Sequence, residues 1–343
     1  MIILGIETSC DETSASLVRA EKKDQKVELI TNVVSSSLAL HAKTGGIIPE
    51  IAAREQVKYI IPVIKKSIEG LKNPREEIDA IAVTTGPGLI GSLLVGVETA
   101  KTISYIWDKP IVPVNHLFGH IYANWIENGN SEKINFPVTA LIVSGGHTDL
   151  VLIKNHREIV WLGGTRDDAA GEAFDKTGRI LGLSYPAGPQ IEKLASGIKK
   201  DVFNFPRPLI DSGEFDFSFS GLKTAVVRKA EEIGAKNLNE DVLKNISFSI
   251  QEAIFEVLIK KTITAAVKTH SRSIVLGGGV AANQTLRNKF EFKIENLKLK
   301  IPLFVPEKRL CTDNAAMIAA ASFFNYKQEP WKNLTADPEA YFD

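Results

Sequence analysis

Apolar and polar stretches alternate in the first part of the chain in a way that predicts strands. Ile2 to Ile6 is apolar, the polar stretch Glu7 to Ser14 follows, and Ala15 to Val18 is apolar again. Val27 to Val34 adds a third apolar run. Short apolar runs bounded by turn residues are typical of strands. We therefore expect the chain to open with a meander of three strands.

The pattern then changes to helical spacing. From Pro49 to Gly70 the apolar residues recur at the spacing of one helix face, which predicts an amphipathic helix. A strand is expected from Ile78 to Thr85, a helix from Ser92 to Ile106 and another strand from Ile111 to Val114. Alternation of strands and helices indicates an α/β fold.

The same succession restarts near Phe136. Strands are expected over 138–143, 150–153, 159–162 and 274–276, helices over 242–269 and 282–290, and a glycine turn over 277–279. Each half thus begins with a meander and ends with strand, glycine turn and helix. This predicts a duplicated architecture rather than a short-period repeat.

Two domains follow from this duplication, the first over residues 1–130 and the second over 131–313. The alanine-rich segment Asn314 to Phe324 predicts a helix, and we expect 314–343 to pack back on the first domain. A ligand is expected in a cleft between two such halves. Phe215 to Ser220 alternates aromatic and polar residues, which predicts a strand with one buried face.

Composition narrows the function classes. The chain has 343 residues, of which 44% are hydrophobic, and 41 basic residues balance 41 acidic ones. Without an overall positive field, a nucleic acid would have to bind through a local patch or a helper subunit. Cys10 and Cys311 are far apart, which favours a reducing cytoplasm over a disulfide framework. We recognise no signal peptide and no apolar run of about 18 residues that would span a membrane.

The pair His116 and His120 is the first candidate site. At i and i+4 on a helix, two imidazoles share one face and can chelate one ion. The general-base glutamate of the His-Glu-x-x-His zinc proteases is missing. Asp313, before a predicted helix, is the candidate third ligand, although an N-cap is the commoner use of Asp there. Two His and one carboxylate suit Fe(II), with zinc as the alternative; two surface histidines remain the plainer interpretation.

Glycine-rich turns form a second group of candidates. Gly86 to Gly91 matches G-x-G-x-x-G, but it lies late in its half and is better explained as a tight strand-to-helix turn. Ser144 to Thr148 and Gly277 to Gly279 follow predicted strands, where glycines let backbone N–H groups approach a phosphate. Asn283 could then reach a ribose or base. Ordinary hairpin turns are the alternative, and the sequence lacks a Walker A pattern.

Acidic segments complete the candidate chemistry. Glu7, Asp11 and Glu12 crowd three carboxylates into one predicted turn, which suggests acid–base work or the orientation of a metal. The stretch Asp167 to Lys176 contains Asp175, although part of it reads as an ordinary helix start. Farther on, Gly188 lies in a rigid turn that would let a ligand approach the backbone, and Glu192 follows one helical turn later.

Taken together, these segments closely resemble the bacterial tRNA N6-adenosine threonylcarbamoyltransferases, a family formerly described as glycoproteases. The resemblance spans nearly the whole chain in the family's order. The matching pieces are Glu7 to Ser14, His116 with His120, Ser144 to Thr148, Asp168 to Thr177, Tyr185 to Pro189, Phe217 to Thr224, Gly277 to Asn283 and Cys311 to Met317.

The resemblance implies a fold of two duplicated domains of the actin, Hsp70 and sugar-kinase type around a central nucleotide cleft. It implies transfer of a threonylcarbamoyl group from threonylcarbamoyl-adenylate to N6 of the adenosine next to the anticodon, in tRNAs reading codons that begin with A. One Fe²⁺ would be bound by His116, His120 and Asp313, with zinc or magnesium as the alternative. The ligand-lining residues implied are Ile142, Val143, Ser144, Gly145, Gly146, Asp175, Gly188, Glu192 and Asn283.

Asp11 and Glu12 are the acids expected to assist transfer. The resemblance also implies two partner subunits, a paralogous pseudo-enzyme and a small ATPase. Three other interpretations compete. A kinase or ATPase of the same fold would use Mg²⁺ and carboxylates without a His pair, a metalloprotease would need the missing general base, and a non-catalytic scaffold would not need several acidic or His sites.

Overall fold

The computed structural model describes residues 1–21, 26–127, 132–234 and 238–342 of the chain. It separates into two compact units, one formed by 1–134 and 306–343 and the other by 135–305. The sequence-based boundary at 130 and 131 falls outside the described residues. The expected end of the second domain at 313 differs from the structure, because 306–313 lies in the first unit.

The described elements are as follows. The strands are β1 (Ile2–Glu7), β2 (Glu12–Arg19), β3 (Glu28–Ser36), β4 (Ala80–Gly86), β5 (Ile111–Asn115), β6 (Val138–Val143), β7 (Thr148–Asn155), β8 (Glu158–Gly164), β9 (Ser273–Gly277) and β10 (Leu303–Phe304). The helices are α1 (Leu38–Thr44), α2 (Pro49–Ser67), α3 (Pro74–Glu77), α4 (Ile90–Trp107), α5 (His116–Tyr122), α6 (Ala170–Ile180), α7 (Gly188–Ala195), α8 (Ser220–Ile233), α9 (Glu240–Lys268), α10 (Gln284–Asn296), α11 (Lys308–Cys311) and α12 (Ala315–Phe324).

Each unit contains one five-stranded mixed sheet, and the two sheets have the same topology. In the first unit the order is β3-β2-β1-β4-β5, with the meander antiparallel and β4 and β5 parallel to β1. The second unit has the order β10-β9-β6-β7-β8 with the corresponding directions. The duplicated α/β architecture expected from the sequence is therefore confirmed.

Helices cover both faces of the first sheet. Apolar residues of α2 and α4, among them Ile60 and Val97, form one core with Leu4 and Ile81 of the strands. On the other face lies α12, whose residues from Ala315 to Ser322 are all buried. Since one face of an ordinary surface helix is polar, a helix this uniformly apolar needs a fully enclosed position.

Small side chains let α12 lie close to the sheet. A Cβ on Gly5 would stand only 2.3 Å from the carbonyl oxygen of Ala315, so the helix and β1 touch through backbone at that point. Asn314 caps the helix by accepting from Met317 N, and Ser14 Oγ accepts from Ala315 N at 2.9 Å. In the structure α12 thus packs against the strands of the first unit.

In the second unit the long helix α9 supplies much of the core. Its middle, including Ile250, Ile254 and Phe255, is buried. Asn239 caps its N-terminus by accepting from Val242 N at 3.0 Å. None of the described helices is both long and apolar enough to cross a membrane.

Two local predictions differ from the structure. Phe215 to Ser220 is not a strand: Phe217 makes a single isolated bridge with Thr165, and Ser220 begins α8. The aromatic alternation reflects burial all the same, since Phe217 and Phe219 are buried and stacked on each other. The helix expected over 282–290 runs from Gln284 to Asn296, because a 3-10 helix, Gly279–Ala282, follows the glycine turn.

Candidate metal centre and ligand turns

The two histidines occupy the first turns of α5, directly after β5. The Asn115 side chain caps this helix by accepting from Leu117 N at 2.8 Å, which fixes where the helix begins. His116 and His120 are both buried, and their ring centroids lie 4.6 Å apart. The spacing therefore does bring the two imidazoles together, and neither is a surface residue.

Asp313 lies beside the histidine pair, and all three residues belong to the first unit. Its Oδ1 lies 3.3 Å from His120 Nε2 and 3.6 Å from His116 Nε2. One potential ligand atom from each residue can be chosen so that all three lie within 4.8 Å of one another. Asp313 is not the N-cap of α12, because Asn314 performs that role. The structure thus excludes the commoner explanation for this aspartate.

The three residues fit a metal ion. Two donors about 2.1 Å from an ion at a tetrahedral angle are about 3.4 Å apart, close to the separations found here. Neither ring nitrogen of His120 hydrogen-bonds to any of the described residues, although both are buried. An unpaired buried polar atom is costly, whereas a lone pair aimed at a cation is satisfied. Two imidazoles and one carboxylate are the donor set typical of non-haem Fe(II), and zinc also accepts it.

The two imidazoles differ in their affinity for a proton. For His116, burial by itself lowers the pKa, but the charges of Asp313 and Glu7 outweigh it and raise the pKa to about 9. For His120, burial and the neighbouring His116 charge dominate, and the pKa is lowered. Without an ion, His116 therefore carries a second ring proton, and the positive charge of this imidazolium partly balances the neighbouring carboxylates.

The acidic segment is divided among three elements. Glu7 ends β1, Glu12 begins β2, and Asp11 lies in the turn between them. Burial, together with the charges of Asp313 and Asp11, raises the pKa of Glu12 to about 10. Because these charges act on one another, the turn and Asp313 form one acidic cluster beside the histidines.

Residues that the sequence analysis did not single out hold this turn. Gln56, fully buried on α2, donates from Nε2 to the carbonyl oxygens of Thr8, Cys10 and Glu12 at 3.2, 2.9 and 3.1 Å. Ser92 Oγ also donates to Cys10 O at 3.1 Å. Helical periodicity places Gln56 among the inward positions of α2, so a polar residue at an apolar-face position was the available signal.

The G-x-G-x-x-G segment serves as the tight turn between β4 and α4 that we expected. Leu89 N donates to Ser9 O at 2.8 Å, and a Cβ on Gly88 would lie 2.6 Å from that same oxygen. The φ of Gly88 is +159°, a backbone conformation that residues with a Cβ rarely adopt. The glycine is explained by this close approach to the acidic turn.

In the second unit, Ile142 and Val143 end β6 and are fully buried, and a tight turn follows. Ser144 N donates to His147 O at 2.8 Å, and Gly171 N of α6 donates to Ser144 O at 3.1 Å. A Cβ on Gly145 or Gly146 would meet no heavy atom of the described residues within 4 Å. The glycine turn is thus joined to a helix N-terminus and has open space above its backbone.

Several other expected ligand residues already make internal hydrogen bonds. Asp175 Oδ1 accepts from Ala187 N at 2.7 Å, just before α7 and beside Gly188. Glu192 Oε1 accepts from Gln284 N at 2.8 Å. Asn283 caps α10 by accepting from Leu286 N at 3.0 Å. Asp175 and Glu192 therefore connect α6, α7 and α10, while Asn283 stabilises the start of α10, structural roles that the sequence did not reveal.

The family of the chain follows from comparison with known proteins. The family model described as tRNA N6-adenosine threonylcarbamoyltransferase matches residues 28–320. The chain belongs to this family. A curated relative of that name from Staphylococcus carnosus (strain TM300) is 46% identical over 327 residues, covering 95% of this chain and 91% of its own. Another, from Thermosipho africanus (strain TCF52B), is 47% identical, covering 96% and 95%.

Membership identifies the chain as a transferase of the tRNA-modifying class. The kinase and metalloprotease alternatives are not favoured, since the relatives are named as transferases. Solved structures show the fold. Full-length HypF in a phosphate- and nucleotide-bound form has a TM-score of 0.57 at 12% identity, covering 94% of this chain and 55% of its own.

The HypF of T. kodakarensis has a TM-score of 0.61 at 13% identity, covering 94% of this chain and 47% of its own. This chain spans about half the length of each. With two mixed sheets and these neighbours, the fold is that of the actin, Hsp70 and sugar-kinase group, as the family resemblance implied.

Proposed function

We propose that the chain transfers a threonylcarbamoyl group from threonylcarbamoyl-adenylate to N6 of the adenosine next to the anticodon, in tRNAs reading codons that begin with A. Family membership supports tRNA N6-adenosine as the acceptor. The observation that carries the chemical proposal is the convergence of His116, His120 and Asp313 with the acidic turn in one unit.

The metal assignment is part of this proposal. One ion, Fe²⁺ with zinc or magnesium as the alternative, would be held by His116, His120 and Asp313. When bound, it would supply positive charge that stabilises negative charge developing on oxygen atoms of the ligand. The approach of His120 Nε2 to Asp313 Oδ1 at 3.3 Å supports the assignment, as does the burial of both His120 ring nitrogens without a hydrogen bond of regular geometry to the described residues.

The acidic turn would assist the transfer itself. The lone pair of the adenosine N6 amine is delocalised into the ring, so the amine is a poor nucleophile until its proton is removed. We assign Asp11 as the group that takes this proton, with Glu12 beside it. The N6–carbon bond forms, the bond from the carbamoyl carbon to the phosphate oxygen breaks, and AMP leaves with the electron pair.

The second unit would hold the nucleotide part of the adenylate. We assign this role to Ile142, Val143, Ser144, Gly145 and Gly146 at the end of β6, together with Asp175, Gly188, Glu192 and Asn283. Open space above Gly145 and Gly146 supports a ligand at that backbone. A helix N-terminus joined to the turn through Gly171 is favourable for a phosphate.

Partners belong to the proposal as well. We propose that the chain works with a paralogous pseudo-enzyme subunit and a small ATPase subunit, and that it does so in the cytoplasm. The balanced charge, 41 basic against 41 acidic residues, supports a need for help in binding tRNA.

The test is reconstitution. The purified chain is mixed with both partner subunits, threonylcarbamoyl-adenylate and unmodified tRNA, and the nucleosides are analysed by mass spectrometry. We expect threonylcarbamoyl-adenosine in the complete mixture and none when the chain is omitted or replaced by Asp11→Asn. The Staphylococcus carnosus relative, assayed with its own partners, is the positive control. Modification by that control without any by this chain would reject the function.

A further inference from the structure

The carboxyl group of Glu7 is enclosed at the end of β1. Its side chain is 0% exposed, which is unusual for an acid and unfavourable unless hydrogen bonds compensate the lost hydration. Oε1 accepts from Ser9 N at 2.6 Å, and Oε2 accepts from the hydroxyl of Thr84 on β4. Oε2 also lies 3.3 Å from His116 Nδ1.

The two nitrogens of His116 face different surroundings. Nδ1 points to Glu7 and to Ser9 Oγ, which is 3.1 Å away, while Nε2 lies 3.6 Å from Asp313 Oδ1. A neutral imidazole has one N–H and one lone pair, and the partners of one nitrogen decide where the proton resides. The hydroxyl of Ser9 can either donate or accept and therefore selects neither form. A carboxylate only accepts, so Glu7 requires Nδ1 to be the protonated nitrogen.

From this geometry we propose that Glu7 is a positioning residue of the candidate metal centre. It holds the proton of His116 on Nδ1 and so directs the Nε2 lone pair toward the position shared with His120 and Asp313. A carboxylate behind a ligating histidine fixes both the tautomer and the ring orientation. The proposal rests on the metal site of the proposed function, because His116 must be a ligand for its tautomer to matter.

A purely structural role for Glu7 would lead to different results. Its bonds to Ser9 and Thr84 tie β1, the acidic turn and β4 together, and this alone could explain the buried acid. In that case a change at Glu7 would lower the stability of the metal-free protein and leave metal affinity unaltered. The decisive measurement is therefore metal affinity, with stability measured beside it.

Glu7→Gln is the variant of choice because it keeps the shape and the oxygen that accepts from Ser9 N. An amide NH2 in place of Oε2 donates toward His116 Nδ1, which moves the imidazole proton to Nε2 and removes the ligating lone pair. Glu76→Gln, at an exposed position on α3, is the matched control. Zn²⁺ and Fe²⁺ affinities of the full chain are measured by competition with a chelator, Fe²⁺ under anaerobic conditions.

We expect Glu7→Gln to weaken binding of both ions about 10- to 100-fold and Glu76→Gln to leave it unchanged. Equal affinity of wild type and Glu7→Gln would overturn the role of Glu7 and leave the metal centre intact. If the wild type binds neither ion, or if binding persists unchanged in His116→Ala, the metal centre of the proposed function fails, and this proposal with it.

A second measurement does not depend on the folding of a variant. Nitrogen-15 NMR of the histidine side chains in the zinc-loaded wild type should show a protonated Nδ1 on His116, with its proton protected from exchange. A metal-bound Nδ1, or a proton on Nε2, contradicts the proposal even if Glu7→Gln cannot be purified.

Discussion

Gln56 Nε2 lies 2.9 Å from the backbone oxygen of Cys10. The backbone oxygens of Thr8 and Glu12 also accept from the same nitrogen. This single buried amide joins α2 to the turn that carries Asp11. We expect Gln56→Met, which keeps the length and removes the donors, to lower the free energy of unfolding by about 1–3 kcal/mol, because buried carbonyls lose a partner. Displacement of the turn should also reduce the transfer rate constant at least about tenfold.

The control for this prediction is Lys65→Met, which places the same side chain at an exposed position of α2. Chemical denaturation and single-turnover transfer assays are applied to both variants. If Gln56→Met unfolds at the same denaturant concentration as Lys65→Met, the three hydrogen bonds do not stabilise the turn.

Asp11→Asn should separate catalysis from binding. The amide cannot take the N6 proton, so we expect transfer to fall below detection while adenylate affinity and thermal stability stay close to wild type. Asp108→Asn is a suitable control, since Asp108 is exposed and Asn adopts its left-handed backbone conformation as readily. Transfer is followed by nucleoside mass spectrometry and binding by calorimetry. Turnover retained in Asp11→Asn would remove Asp11 from the mechanism.

His120 illustrates a conflict between stability and function. Both of its ring nitrogens are buried without a hydrogen bond to the described residues, so the metal-free protein carries their desolvation cost. Without metal, we expect the free energy of unfolding of His120→Leu to equal that of the wild type or to exceed it by up to about 3 kcal/mol. Metal binding should be lost.

Denaturation with and without Zn²⁺ checks this expectation. Zn²⁺ should stabilise the wild type and leave His120→Leu unaffected. A variant that is strongly destabilised without metal, and that still responds to Zn²⁺, would show that His120 belongs to the packing of α5 and is not a ligand.

A substitution at Glu192 tests whether a residue proposed to bind the ligand also stabilises the folded protein. Its carboxylate accepts from Gln284 N at the start of α10. We expect Glu192→Ala to lower the free energy of unfolding of the ligand-free protein by about 0.5–2 kcal/mol, the range for a lost helix cap. Lys193→Ala, at the exposed neighbouring position, should change it little. Unchanged stability of Glu192→Ala would leave ligand binding as its main role.

His156 predicts a pH dependence of stability. Burial, in part against the Phe136 ring at 4.8 Å, lowers its pKa to about 4 from the 6.5 of an unfolded chain. The folded state then binds fewer protons, so this contribution is complete above pH 6.5 and is lost as the pH falls toward 4. A difference of one bound proton changes the free energy of unfolding by at most about 1.4 kcal/mol per pH unit. Because the His156 ring is partly exposed, we expect a loss of stability smaller than this limit.

Denaturation at pH 7 and pH 5 measures this effect. The wild type should lose more stability between the two values than His156→Gln, which has no group that titrates there. The same loss in both proteins would mean that the pKa of His156 is not lowered in the folded state.

Sequence periodicity predicted the regular elements well because it records burial. The two meanders, the helices predicted over 49–70 and 242–269, and the apolar helix after Asn314 agree with the structure within a few residues. It failed over Phe215 to Ser220, where two stacked aromatic side chains are buried without a strand ladder. Alternation reports which side chains point inward, and irregular chain can produce the same pattern.

The sequence by itself determined that His116 and His120 share a helix face, because the geometry of one helix requires it. It also determined the family, through motifs in a fixed order along the chain. Only the tertiary structure decided which distant groups meet this pair: Asp313 from the C-terminal part and Glu7 from the first strand. Sheet pairing and the packing of α12 bring these residues together. Contacts between residues far apart in a chain leave no periodic signal in its sequence.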